Sequence, residues 1–226
     1  MLPANPKNFD DLHARFAWNL PARFNIGTAC SDTVAQRHPD RPAIIEFAEG
    51  QRSATSFGDL ARRSTRLAAA LAARGIGRGD RIAIMVPQSA DAAIVHLATY
   101  KLGAIAVPLA TQFGPDAIAY RLRTSGARAF VAFGKGIARA RETGALDKLD
   151  LVAEAGALSN KAGALETLIA TGGPDFAPVD TVPDDPAMML FTSGTTGMPK
   201  AAVMSHTGSL AGSKQVFDAV LAAYGA

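Results

Sequence analysis

Between residues 81 and 171 short apolar runs alternate with helical segments, and this rhythm limits the fold more than any other feature. The runs "RIAIMV" (81–86), "AIAVPL" (104–109), "ARAFVAF" (127–133) and "DLVAEA" (150–155) read as buried strands. "SADAAIVHLATYKLG" (89–103), "PDAIAYRLRTSG" (115–126) and "IARARETGALDKL" (137–149) separate them as helical stretches, the last one broken. "AGALETLIAT" (162–171) follows as a helix. Strands apolar on both faces need helices to cover them. The pattern therefore predicts an α/β fold with a mostly parallel sheet flanked by helices on both faces. Its strands are expected at 82–86, 104–109, 128–132, about 150–153 and 187–192.

Upstream, "PAIIEF" (42–47) and "RSATSF" (52–57) flank "AEGQ" and predict a hairpin. Ser56 with Asp59 resembles a capping box, opening a helix on which Leu60, Leu67 and Leu71 share a face and which ends near Gly75. The first forty residues, punctuated by Pro3, Pro6, Pro21 and Pro39, read as irregular. "GGPDFAPVDTVPDDP" (172–186) reads as a linker. The expected divisions are 1–57, 58–171, 172–186 and 187–226, the first partly dependent on chain outside these residues.

Composition excludes some classes. Of 226 residues, 48% are hydrophobic, enough for a sizeable core. The formal charge of +3 is mostly arginine on presumed helix faces, so no nucleic-acid partner is expected. No apolar run reaches the roughly 18 residues of a membrane span, so no membrane partner is expected and a cytoplasmic location is. The single Cys30 excludes an intramolecular disulfide framework and reads as a buried small hydrophobe. His96 has no second ligand at metal-site spacing and reads as a packed histidine.

The chemistry concentrates in "TSGTTGMPK" (192–200), which follows the apolar run "AMMLF". Glycines let backbone amides approach an anion, and Ser and Thr hydroxyls with one lysine complete a phosphate-binding set. The Walker phosphate loop needs Gly-Lys-Ser/Thr in succession at a helix mouth. Here Met198 and Pro199 separate Gly197 from Lys200, and "AAVMSH" after the lysine looks like a strand, with a helix only from about Thr207. Strand–loop–strand is a different device.

"LFTSGTTGMPKAAVMSH" resembles the phosphate-binding signature of the adenylate-forming, AMP-binding superfamily, which includes acyl- and aryl-CoA synthetases and peptide-synthetase adenylation domains. "ARFNIG", "HPDRPAII", "KLGAIAVPL" and "ATQFGPDAIAYRLRTSGARA" resemble its acyl-CoA synthetase branch through most of residues 16 to 134. Ala201 stands where the family usually has glycine. The resemblance implies that a carboxylate attacks the α-phosphate of Mg-ATP, and that CoA then displaces AMP. It implies ATP, Mg2+ and CoA, with a small-molecule carboxylic acid as partner. It carries phosphate binding onto Thr192, Ser193, Gly194, Thr195, Thr196, Gly197 and Lys200, with no catalytic acid, base or metal ligand in these residues.

Family members run to roughly twice this length. Their adenine-binding, magnesium-binding and ribose-binding segments and the C-terminal catalytic lysine have no counterpart here. The expectation is an N-terminal fragment of an acyl-CoA synthetase, inactive alone, with a homo-oligomer through the exposed N-terminal segment left open. A piece of a peptide-synthetase adenylation or aryl-acid ligase domain, or a non-catalytic stand-alone module, are the alternatives.

Overall fold

The structure, a computed structural model, describes residues 7–16, 21–48, 50–156, 164–193 and 197–208. Its centre is a six-stranded sheet made of β3 (Arg81–Met85), β4 (Ile105–Pro108), β5 (Ala129–Ala132), β6 (Leu151–Glu154), β7 (Pro186–Thr192) and β8 (Lys200–Ser205). The order is β6-β5-β3-β4-β7-β8. All neighbours run parallel except β8, which pairs antiparallel with β7.

Each strand feeds two cores because side chains alternate across the sheet. Ile82, Ile84, Ala129 and Val131 face one core, where they meet α3 (Phe57–Ala72), α4 (Ala90–Lys101) and α7 (Ala164–Thr171). Ala83, Met85, Phe130 and Ala132 face the other, covered by α5 (Pro115–Ser125) and α6 (Gly134–Arg141). The helices start where local chemistry satisfies their free amides. The Ser56 hydroxyl accepts from the Asp59 amide and the Ser89 hydroxyl from the Ala92 amide. Pro115 opens α5, and Gly126, at φ 61°, closes it in a left-handed turn.

The end of α7 runs against α3 so closely that a Cβ on Gly172 would lie 1.8 Å from the Arg66 carbonyl oxygen. Gly172→Ala should therefore cost about 3 kcal/mol as the two helices are forced apart. A shift in the urea midpoint at unchanged slope would report it.

The expected hairpin forms as β1 (Pro42–Ala48) with β2 (Gln51–Ser56), a two-stranded sheet separate from the six-stranded one. Ala43 and Ile44 pack on the α3–α4 core, while Ile45 and Phe47 are exposed. Two readings of the N-terminal region need correction. The first forty residues are not irregular throughout: α1 (Phe9–Arg15) is capped by the Asn8 side chain, and a π-helical turn at Thr28–Asp32 runs into α2 (Thr33–Ala35). Cys30 is exposed rather than buried, because that turn puts it on the wall of an open groove.

The turn is fixed from below. Asp32 pairs with the fully buried Lys101 ammonium at 2.7 Å, which also donates to the Ala61 carbonyl and the Ser64 and Thr65 hydroxyls. The 172–186 segment is likewise held, with the Thr181 hydroxyl donating to the Phe24 carbonyl and the Phe24 amide to that of Thr181. Among the described residues no helix is long and apolar enough to cross a membrane.

Candidate functional site

The sheet's connectivity reverses at β3: the chain passes to β4 on one side and then to β5 on the other. In open parallel sheets ligands bind outside the carboxyl ends of strands near such a reversal. Two features share that edge here, an apolar groove and the hairpin loop between β7 and β8.

The loop has a rigid base. β7 and β8 pair in register from Met188↔Met204 to Thr192↔Lys200, so the first and last residues of the motif face each other across the ladder. The Thr192 hydroxyl reaches the Lys200 carbonyl only at 3.5 Å, a weak contact. Thr192, Ser193, Gly197 and Lys200 are exposed, and no carboxylate among the described residues pairs with the Lys200 ammonium. Gly197 takes φ 128°, a conformation that side chains rarely adopt. Gly194, Thr195 and Thr196 lie outside the described residues, as does nearly all of the helix expected from Thr207. The structure thus brings Thr192, Ser193 and Lys200 to one strand edge, where all three are exposed and the Thr192 hydroxyl makes only a weak contact.

Three residues that sequence reasoning passed over pin the chain around β7 and β8, Tyr120 at the loop and His206 with Asn25 at the opposite end of the strands. Tyr120 of α5 donates its hydroxyl to the Pro199 carbonyl at 2.9 Å. His206, just past β8, is fully buried; its Nδ1 accepts from the Ile26 amide at 3.2 Å, and its ring meets Tyr100 edge-on. Burial holds its imidazolium below the usual range, against the pull of Asp185. Asn25 donates to the carbonyls of Tyr100 and Val179. Asn25 and His206 lie inside stretches that carry the family resemblance, but only the fold shows that both serve the same joint.

The groove, about 900 Å³, lies between the β1–β2 hairpin and the carboxyl ends of β3 and β4, with Phe47, Val86, Leu109 and Tyr100 among its walls. His96 lines it as a packed side chain, its Nδ1 at 3.3 Å from the Tyr100 hydroxyl, and burial lowers its pKa to about 4. The fold thus favours neutral His96, whereas the unfolded chain binds the proton near 6.5. The stabilisation is full above 6.5 and is lost as the pH falls from there towards 4, on the order of 3 kcal/mol. A His96→Phe variant should lose less stability than the parent between pH 7 and pH 4.5 in urea titrations. Parallel losses would remove His96 from the account.

A family model described as "AMP-binding enzyme" matches residues 31–223, most of the chain. The chain belongs to the AMP-binding enzyme family. Acetyl-coenzyme A synthetase 2 of Candida glabrata is 30% identical over 230 residues, covering 89% of this chain and 33% of that protein. An uncharacterised acyl-CoA ligase of Bacillus subtilis is 31% identical over 198 residues, covering 87% of this chain and 36% of its own. Among solved structures, the acyl-CoA synthetase of Brucella canis superposes with a TM-score of 0.72 at 28% identity, over 88% of this chain and 38% of that one. This member of the AMP-binding family spans about a third of the length of the curated relatives it matches. Its sheet and covering helices are those of the N-terminal domain of adenylate-forming enzymes.

Proposed function

We propose that these residues supply the nucleotide-phosphate loop of an AMP-forming acid-thiol ligase. A carboxylate oxygen attacks the α-phosphorus of ATP and pyrophosphate leaves, giving an acyl-adenylate. The thiolate of CoA then attacks the acyl carbonyl, and AMP departs. In the first step negative charge grows on the leaving β,γ-phosphates. Lys200 and the hydroxyls of Thr192 and Ser193 donate to those oxygens, and donors already in place where charge develops are a large catalytic contribution. Thr195 and Thr196 join them, and Gly194 and Gly197 give the backbone room to approach; for Gly194, Thr195 and Thr196 the assignment rests on the motif. Magnesium, when bound, neutralises phosphate charge. Among the described residues no group of His, Cys, Asp and Glu is placed to hold it.

The observation that carries this reading is the pairing of Thr192 with Lys200 at the carboxyl edge of the parallel sheet, which brings the exposed Thr192, Ser193 and Lys200 together. In the complete protein that carries these residues, ATP–pyrophosphate exchange should require an added carboxylic acid, and thioester should form only with CoA. Exchange with no dependence on any acid would overturn the reading. Transfer to a carrier-protein thiol in place of CoA would assign the chain to the peptide-synthetase branch.

A further inference from the structure

The phosphate loop leaves the sheet on a proline, and that choice has a mechanical cost. Pro199 has no amide hydrogen, so the residue immediately before Lys200 cannot donate a rung to the β7–β8 ladder. Thr192↔Lys200 is the last pair of that ladder, and its own side-chain contact is long. Strand ends held by so little fray. The Pro199 carbonyl, however, accepts from the Tyr120 hydroxyl at 2.9 Å, a bond between residues 79 positions apart.

Helix α5 grips the other leg of the loop as well. The Tyr120 ring meets Phe191 edge-on, with centroids 6.2 Å apart. The guanidinium of the next residue, Arg121, lies 3.9 Å over the Phe113 ring and 5.4 Å from that of Phe191. Phe191 is the residue before Thr192. Two consecutive side chains of one helix therefore engage both the entry and the exit of the loop. The helix is firmly seated, since Ile118 and Leu122 are buried in the second core.

We propose that Tyr120 is a positioning residue for Lys200. Its hydrogen bond fixes the plane of the Pro199–Lys200 peptide, and that plane sets the direction in which the Lys200 side chain leaves the strand. The ring contact with Phe191 fixes Thr192 by the same helix, so the spacing between the two donors is set by α5 rather than by the ligand. The assignment rests on the phosphate-loop reading given above only for its catalytic consequence; the tether itself does not depend on it.

A double-mutant cycle in the complete protein tests the coupling. Tyr120→Phe keeps the ring and deletes one hydroxyl. It should lower kcat for acid-dependent pyrophosphate exchange about tenfold, the scale of one lost hydrogen bond at a positioned group. KM for the acid should stay within about twofold and the thermal midpoint within about 2 °C. In a Lys200→Ala background the same change should cost less than about twofold, because a residue that acts through Lys200 has nothing left to position. A wild-type rate for Tyr120→Phe, or a loss that persists undiminished without Lys200, would overturn the assignment.

Amide hydrogen exchange on the 226-residue chain separates the tether from the chemistry. Exchange across 200–203 should quicken about tenfold in Tyr120→Phe while 82–85 in the core stays protected. Unchanged exchange across 200–203 overturns the tether whatever the loop binds. Quickened exchange, beside a Lys200→Ala enzyme that keeps the wild-type rate, upholds the tether and refutes the phosphate-loop reading.

Discussion

Replacing Lys200 by alanine should slow ATP–pyrophosphate exchange in the complete protein by about 30- to 1000-fold, equivalent to roughly 2–4 kcal/mol of transition-state stabilisation. The side chain is exposed at the start of β8 and pairs with no carboxylate among the described residues, so the fold does not depend on it. The thermal midpoint should accordingly stay within about 2 °C. Lys200→Arg keeps the charge but presents a planar fork where the loop holds a point donor, and should recover only part of the rate. An alanine variant exchanging as fast as the wild type would remove Lys200 from phosphate binding.

A large effect on stability is expected at Asp32. The Lys101 ammonium is fully buried, and Asp32 is the carboxylate that faces it. Burial lowers the Lys101 pKa, the partner pulling the other way. Asp32→Ala strands that cation among neutral acceptors and should cost about 3 kcal/mol. Adding Lys101→Met should recover most of the loss, since an apolar side chain of similar volume needs no counter-charge. Urea midpoints of the two single variants and the double variant decide the matter. A double variant no more stable than Asp32→Ala would mean that Asp32 acts through the π-helical turn and its contact with the Ser31 hydroxyl, not through Lys101.

The legible and illegible parts of this chain divide along a physical line. Runs such as 81–86 and 127–133 are apolar on both faces, so their burial between two helix layers could be read directly. A connection of seven residues between 192 and 200 is too short for a crossover, and β8 returns antiparallel, as strand–loop–strand implies. Thr192 and Lys200 of the motif meet at the base of that loop with Ser193 beside them, and their binding of phosphate is the proposal made above. The first forty residues hold more structure than their prolines suggest. Asn8 before a pair of aspartates, with Arg15 a few residues on, is a helix signal in its own right, and the prolines on either side obscured it. Residue type alone predicts a buried Cys30, whereas the turn geometry sets it on the groove wall. Tyr120, Asn25 and His206 were beyond reach for another reason. Each acts through a partner 75 to 180 positions away, and no local periodicity encodes such a meeting.

The central claim is that this loop serves attack of a carboxylate on the α-phosphorus of ATP. Isotope transfer tests it most directly. A carboxylic acid labelled with oxygen-18 in both oxygens, incubated with the complete protein, ATP, magnesium and CoA, should leave one labelled oxygen in AMP and one in the thioester. Label appearing in inorganic phosphate, with ADP as the nucleotide product, would mean that the acid attacks the γ-phosphate and would contradict the account.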